Sequence, residues 1–280
     1  MSRTTSSRAP RRIRAGATSA AVTLLCAVGC SSGADGPGEA AGGVPVVEKG
    51  KLTTCTHLPY PPFQFEREGA VVGFDVALID LVAERLDVEQ KILDTPFENF
   101  KTGAFLNSGE CDLAAAGMTI TEERKKNVDF SLPYFDATQA LLTARKSGIT
   151  SLADVKAQNR KLGAQAETTG ESYAASQGLD PVAFESSDAV LNGLRTGQVD
   201  AVVIDYPVVQ GWLKDKATAS EFTLGQNIET GEQYGFSVKK GNDALRAAID
   251  QVIRDARADG AYDALYEKWI GPLPGNQSGS

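Results

Sequence analysis

The sequence predicts an α/β fold built on parallel sheets and divided into two similar units. Three observations carry that prediction. Short β-branched runs alternate with segments of helical periodicity, the pattern of βαβ units. The chain has 280 residues with 42% hydrophobic content, enough to bury about 75% of its unfolded surface in a core split between two domains without a metal or disulfide. Finally, Gly109, Asp112 and Gly117 are echoed at the same offsets by Gly197, Asp200 and Asp205, each set reading as a helix end, a turn and a strand. Turns common to many αβ connections produce the same short pattern, so the echo has a bland reading as well.

In order along the chain, LTTCT at 52–56 reads as a buried strand. VALIDLVAERL at 76–86 reads as a helix with Val76, Ile79, Val82 or Ala83, and Leu86 on one face. DLAAAGMTI at 112–120, KLGAQ at 161–165 and VDAVVID at 199–205 read as strands. ALRAAIDQVIRDA at 244–256 repeats Leu245, Ala248, Ile249, Val252, Ile253 and Ala256 at helical spacing, and Gly260 ends it. Ligands of open α/β sheets sit outside the carboxyl ends of strands. That rule directs attention to Gly117–Thr119 in one unit and Asp205–Tyr206 in the other.

The first 30 residues carry five arginines and no acid, followed by an apolar stretch from Ala15 to Gly29. A basic segment, a short apolar segment and small residues make a secretory signal over 1–29, too short for a stable span of about 20 apolar residues. Arg11 and Arg12 make only a weak match to a twin-arginine signal. The segment ends LLCAVGC and resembles a bacterial lipobox, with Ala27 where Leu is usual; Cys30 would then be acylated, and 30–47 would be a Gly-rich, flexible tether. Plain secretion with cleavage nearby is the simpler alternative. Removing 1–29 leaves 23 basic against 36 acidic residues, a net charge of −13 instead of −8. A body this acidic does not cling to anionic lipid by itself, and no basic run supports a nucleic-acid partner. One His, four Cys and no CxxC or HExxH spacing leave no metal site or cofactor to expect.

The residues at the strand ends have a consistent chemistry. GMTITEER, 117–124, offers the hydroxyls of Thr119 and Thr121 and the planar fork of Arg124, suited to a carboxylate. HLPYPPFQF, 57–65, brings His57, Tyr60, Phe63 and Phe65 in a Pro-stiffened loop. ETTGESY, 167–173, leads from a strand into a helix, so the amides near Thr169 and Gly170 form an anion-ready N-terminus. Asp205 adds one carboxylate. An anion site, a cation site and an aromatic wall are the minimum for holding a zwitterionic α-amino acid. Locally, Arg124 reads as an exposed partner of Glu122 or Glu123, Asp205 as a cap before Pro207, and His57 as a strand-end residue.

GFDVALIDLVAERL, CDLAAAGMTITEERKKNVDFSLPYF, ETTGESY, VDAVVIDYP and DGAYDALYEKWIG, together covering nearly all of 48–271 in order, resemble the amino-acid-binding solute receptors of ABC importers. Histidine, glutamine and lysine/arginine/ornithine periplasmic binding proteins belong to that family. The resemblance implies a two-lobed type II periplasmic-binding-protein fold with parallel-sheet lobes joined by two hinge crossovers. Lobe 1 would comprise 48–139 and 237–275 and lobe 2 140–236, crossing near Ala137–Leu142 and returning near Gln233–Ser237.

By the same resemblance Arg124 clamps the ligand carboxylate with help from the Thr119 and Thr169 amides. Asp205, the Gly117 carbonyl and the Thr119 hydroxyl receive the α-ammonium; Tyr60 and Phe97 stack on the side chain; His57 lies near its far end; Phe63 supports the loop. The partners implied are an amino acid, the importer's membrane subunits and the membrane through Cys30. The protein would act as a monomer, exported and lipid-anchored to the outer face of the bacterial cytoplasmic membrane. It would not be an enzyme, although cyclohexadienyl dehydratases share this fold, and a ligand-sensing module of a signalling system is the other alternative.

Three departures matter. Ala77 replaces a frequent acid after GFD. Glu167 stands where many members carry Gly and would favour a cationic ligand if it faced the cleft. The helix between Phe97 and Gly109 is slightly longer than in the histidine-type receptors, so a neighbour such as Phe100 competes with Phe97. Export makes a Cys55–Cys111 disulfide reasonable. If the strands holding His57 and Gly117 end level, however, the two cysteines lie four residues, about 13 Å, apart, too far for a bridge unless the chain bends.

Overall fold

A computed structural model describes residues 36–273. The expected signal segment over 1–29 and the expected acylation site Cys30 lie outside the described residues. Strands β1 (Gly38–Ala40) and β2 (Val44–Val46) form a hairpin. Val44 and Val46 are buried, and the Ala41 amide bonds the Leu86 carbonyl. The expected tether over 30–47 is therefore corrected for its second half: alternating valines give this stretch an apolar face that packs on the folded body.

The chain then builds β3 (Lys51–Thr56), the hairpin β4 (Phe65–Arg67) and β5 (Ala70–Val72), helix α1 (Phe74–Arg85) and β6 (Glu89–Asp94). Gly73 precedes α1 with φ 143, and a Cβ there would lie 2.1 Å from the Phe63 carbonyl oxygen, so glycine is required where the loop meets the helix. Helices α2 (Glu98–Thr102) and α3 (Ala104–Ser108) follow, broken at Gly103 with φ 63, where a Cβ would press on Val128. The expected single helix is thus two. After them come β7 (Leu113–Ala114) and β8 (Val128–Phe130). Of the expected strand 112–120 these two residues form the strand, and Thr119 makes an isolated bridge to Tyr234, because the chain turns at Gly117, φ 56.

Strand β9 (Phe135–Ala144) crosses to the second lobe, which adds α4 (Leu152–Ala157), β10 (Leu162–Gln165), α5 (Thr169–Ser176), β11 (Val182–Phe184), α6 (Ser187–Arg195), β12 (Ala201–Asp205), α7 (Tyr206–Leu213) and α8 (Lys216–Glu221). Strand β13 (Phe222–Tyr234) returns, and β14 (Ser237–Lys239), α9 (Asp243–Asp259) and α10 (Ala261–Trp269) complete the first lobe. The sheets have the orders β6-β3-β7-β14-β8 and β11-β10-β12-β9-β13.

Both sheets are mixed instead of wholly parallel. β14 runs antiparallel to β7 and β8, and β9 runs antiparallel to β12 and β13. The strands that arrive from a crossover enter from the opposite end, which reverses them. Residues 139–143 of β9 are in register with β12, Gln139 opposite Asp205 and Leu142 opposite Val202. Phe135 pairs with Tyr234, so the two connections lie side by side.

Cys55 and Cys111 form a disulfide with Cα atoms 5.8 Å apart. The level-strand argument fails because Cys111 is not in the strand. β7 begins at Leu113, opposite Thr54, and the Cys111 amide still bonds the Phe105 carbonyl of α3, so the chain bends across the end of the sheet. The bridge is packed among Phe97, Phe100, Phe105, Leu106 and Met118.

Candidate functional site

The strand ends and loops of the two lobes meet around one cavity lined by His57, Tyr60, Phe97, Gly117, Thr119, Arg124, Thr169 and Asp205, with Gln64, Ala116, Gln165 and Thr168. All eight residues expected to bind ligand are therefore brought together. The cavity volume is about 20 Å³, room for a single water-sized sphere. An amino acid enters only if the lobes part.

Arg124 opens a short 3₁₀ turn and is 5% exposed, so it is not the exposed partner of Glu122 or Glu123 that its local pattern allows. Those acids face Lys125 and Lys101. Its guanidinium donates to the Thr119 carbonyl at 2.8 Å and, across the cleft, to the Glu167 carbonyl at 3.1 Å. The Phe97 ring lies 5.8 Å from the guanidinium carbon. Burial pulls the Arg124 pKa down, while the charges of Asp205 and Glu232 push it back up. Among the described residues no carboxylate bonds the guanidinium directly, so a planar cation that remains charged lines the cavity with donors to spare.

Asp205 ends β12 and is buried. One carboxylate oxygen accepts from the Tyr60 hydroxyl at 2.7 Å and from the Tyr234 hydroxyl, and the other accepts from the Gln139 amide. Burial raises its pKa to about 6 against the lowering effect of these donors. Tyr60 and Tyr234 are in turn held well above the usual phenol range, by burial first and then by the Asp205 charge. Tyr60 thus does more than offer a ring: its hydroxyl ties the first lobe to the carboxylate of the second.

Gly117 takes φ 56, and a Cβ there would stand 3.1 Å from Tyr60 Cε1. Its amide donates to Asp75 Oδ2 at 2.8 Å, while Asp75 Oδ1 accepts from the Tyr134 hydroxyl at 2.7 Å. Asp75 therefore positions the turn, and burial raises its pKa to about 6. The Thr119 and Thr169 hydroxyls meet across the cleft at 3.4 Å. Thr169 is the first residue of α5, whose cap is Thr168, with its hydroxyl accepting from the Glu171 amide.

His57 Nδ1 lies 3.0 Å from the Thr95 carbonyl oxygen, and its ring is 6.0 Å from Phe97. Phe97 lines the cavity, and Phe100 stacks behind it at 5.4 Å. Phe63 is fully buried against Phe135 and Tyr234.

The Glu167 carboxylate does not line the cavity. It bonds Lys101 of the first lobe at 3.0 Å, forming an exposed bridge at the rim, which removes its hint of a cationic ligand. Its φ of 61 is the conformation that glycine adopts freely.

Gln64, Gln139, Gln165 and Tyr234 were not singled out by sequence reasoning. Gln139 and Tyr234 fall in what read as connections, and Gln64 was one polar letter in an aromatic loop. A signal existed for Gln139, a lone amide in the apolar run ATQALL of a strand.

The family model for bacterial extracellular solute-binding proteins, family 3, matches residues 52–272. A probable histidine-binding protein of Neisseria gonorrhoeae is 30% identical over 257 residues, 89% of this chain and 94% of the relative. The ABC transporter glutamine-binding protein GlnH of Bacillus subtilis is 32% identical over 72% of this chain and 74% of its own length. The solved structure of an ancestral arginine-binding protein bound to arginine is 37% identical, with TM-score 0.73 over 80% of this chain and 99% of that one. With its two lobes, its paired crossovers and a match that spans nearly the whole described body, the chain belongs to the bacterial extracellular solute-binding proteins, family 3.

Proposed function

We propose that the cleft captures an α-amino acid and that the protein delivers it to the membrane subunits of an ABC importer. The observation that carries this reading is a buried guanidinium from one lobe and a buried carboxylate from the other facing a single cavity. Arg124 grips the α-carboxylate with help from the Thr119 and Thr169 amides. Asp205, the Gly117 carbonyl and the Thr119 hydroxyl receive the α-ammonium. Tyr60 and Phe97 flank the side chain. The site is complete only with both lobes in contact, so ligand shifts an open and closed equilibrium, and closure is what the importer reads.

The protein acts outside the cytoplasm as a monomer, held to the membrane by acylated Cys30; among the described residues no helix is long and apolar enough to cross a membrane. It is a receptor and not an enzyme. The ionisable groups lining the cavity are His57, Tyr60, Arg124 and Asp205, and each already bonds a protein partner.

Differential scanning fluorimetry against the common α-amino acids tests the binding reading: at least one raises the melting temperature by several degrees, and a flat panel refutes it. Mass spectrometry of the protein from membranes tests the anchor. A diacylated Cys30 at the mature N-terminus is expected, and an unmodified terminus at another residue excludes it.

A further inference from the structure

We propose that Ser187, which lies outside the ligand cavity, latches the two lobes together and so sets how long any bound ligand is held; this role rests on the amino-acid-binding reading above. The first lobe sends the loop 57–64 toward the second. Its three prolines, Pro59, Pro61 and Pro62, have a fixed φ and no amide hydrogen. The rest of the loop is tied down: the Leu58 amide donates to Asp94 Oδ1 at 3.0 Å, the Tyr60 amide to the Gln64 carbonyl at 2.7 Å, and Gln64 Nε2 to the His57 carbonyl at 3.2 Å. A loop already ordered in this way makes a contact at its tip with little further loss of conformational entropy. Three consecutive residues of that tip meet the second lobe. The Tyr60 hydroxyl bonds Asp205 within the site. On one side of it the Pro59 carbonyl accepts from the Ser187 hydroxyl at 2.7 Å. On the other, a Cβ on Gly211 of α7 would stand 3.7 Å from the Pro61 carbonyl oxygen, so the loop passes within contact distance of that helix.

Ser187 is the first residue of α6, is fully buried, and does not line the cavity. The cap of that helix comes from the residue before it: the Ser186 hydroxyl accepts from the Ala189 amide at 3.2 Å. The Ser187 hydroxyl therefore has no part in holding the helix end, and alanine in its place suits a helix better than serine does. Among the described residues no other donor meets the Pro59 carbonyl. When the lobes part, hydroxyl and carbonyl both return to water; when they close, one bond replaces those hydrations with a modest net gain. Loss of the hydroxyl removes that gain from the closed form alone. Ligand enters with the lobes parted, so the loss falls on dissociation and not on association. It is also the same for every ligand, whereas a residue of the cavity wall changes the ranking among them.

Stopped-flow fluorescence on the whole mature protein tests this with each of the common α-amino acids that binds. Ser187→Ala should release every one of them about three- to tenfold faster, with the association rate and the circular dichroism of the wild type. An unchanged dissociation rate overturns the latch. A loss that falls on association makes Ser187 a structural residue, and a factor that differs from ligand to ligand makes it a ligand contact; either result also overturns the proposal. If no amino acid binds the wild type, the amino-acid reading fails on its own, and the latch is read without ligand. Glu98 and Glu185 are exposed and line one surface groove from opposite lobes. Spin labels on Glu98→Cys and Glu185→Cys report their separation by double electron–electron resonance. Adding Ser187→Ala should move the distance distribution toward longer values, and an identical distribution refutes the latch.

Discussion

The two lobes reach the cleft with the same local device and present opposite chemistry there. In the first, Asp112 lies beyond a helix end and accepts from the Thr53 amide at 2.7 Å, while its own amide bonds the Thr53 carbonyl at 2.8 Å. In the second, Asp200 accepts from the Lys161 amide at 2.8 Å and returns a bond to the Lys161 carbonyl at 2.8 Å. Each aspartate sets a strand against its neighbour, and five residues later the strand region ends at Gly117 or at Asp205. Gly117 has no side chain and bends, giving backbone groups and room for Arg124 nearby. Asp205 brings a carboxylate. One repeated unit thus serves as scaffold, and the difference at its last position leaves the guanidinium on the first lobe and the carboxylate on the second, the two charges that the proposed reading sets against the poles of a zwitterion.

The first way to break the comparison is through the scaffold. The first lobe has a disulfide closing a separation of 56 residues, and the second has no counterpart. Loop-closure entropy gives such a bridge about 4 kcal/mol. Reduction should lower the denaturation midpoint by a matching amount, and hydrogen exchange should show protection lost in β3, α1 and β7 before β10 and β12. Equal loss in both lobes contradicts a stabilisation confined to one.

The second concerns the poles. Arg124→Ala should cost about 2–5 kcal/mol of ligand affinity while circular dichroism remains that of the folded protein, because its two observed bonds go to backbone carbonyls. Asp205 should respond to pH instead. Its carboxyl has a pKa of about 6, and it must lose its proton before it accepts an ammonium. Affinity should therefore fall by up to about tenfold per unit as pH drops below 6 and level off above it. Asp205→Asn should bind more weakly at neutral pH and lose this acid limb.

The smallest effect is at the rim. Lys101 bonds Glu167 across the cleft and Glu123 on its own lobe. An exposed bridge contributes about 0.2–1 kcal/mol, so Lys101→Met should weaken ligand binding a few-fold at low salt and not at all in 1 M salt. Calorimetry at the two ionic strengths reads the difference.

Much of this was legible because the signals were periodic or local. The apolar positions of α1 and the run AVVID of β12 identify themselves, and the echo of Asp112 in Asp200 is a real shared hydrogen-bond pattern. Arg124 and Asp205 stood out only through the order of the surrounding motifs, since taken singly each looks like a surface charge. What escaped depends on contacts distant in sequence. The Cys55–Cys111 pairing turned on where β7 begins, a matter of one or two residues. Gln64 joins the cavity wall through its amide's bond to the His57 carbonyl, which no local pattern announces. Gln139 and Tyr234 sit on crossover strands, and their importance arises only when both strands pass Asp205. The second half of the supposed tether was judged by its glycines, whereas Val44 and Val46 decided its fate.

The central claim, that the lobes hold opposite ends of one amino acid, is tested most directly by calorimetry with the best ligand and its two truncated analogues, the decarboxylated amine and the deaminated acid. Wild-type protein should lose at least about 100-fold in affinity for each analogue. In Arg124→Ala, removing the carboxylate should cost little further while removing the ammonium still costs its full amount, and Asp205→Asn should show the reverse. Equal sensitivity of both variants to both truncations would contradict the division between the lobes.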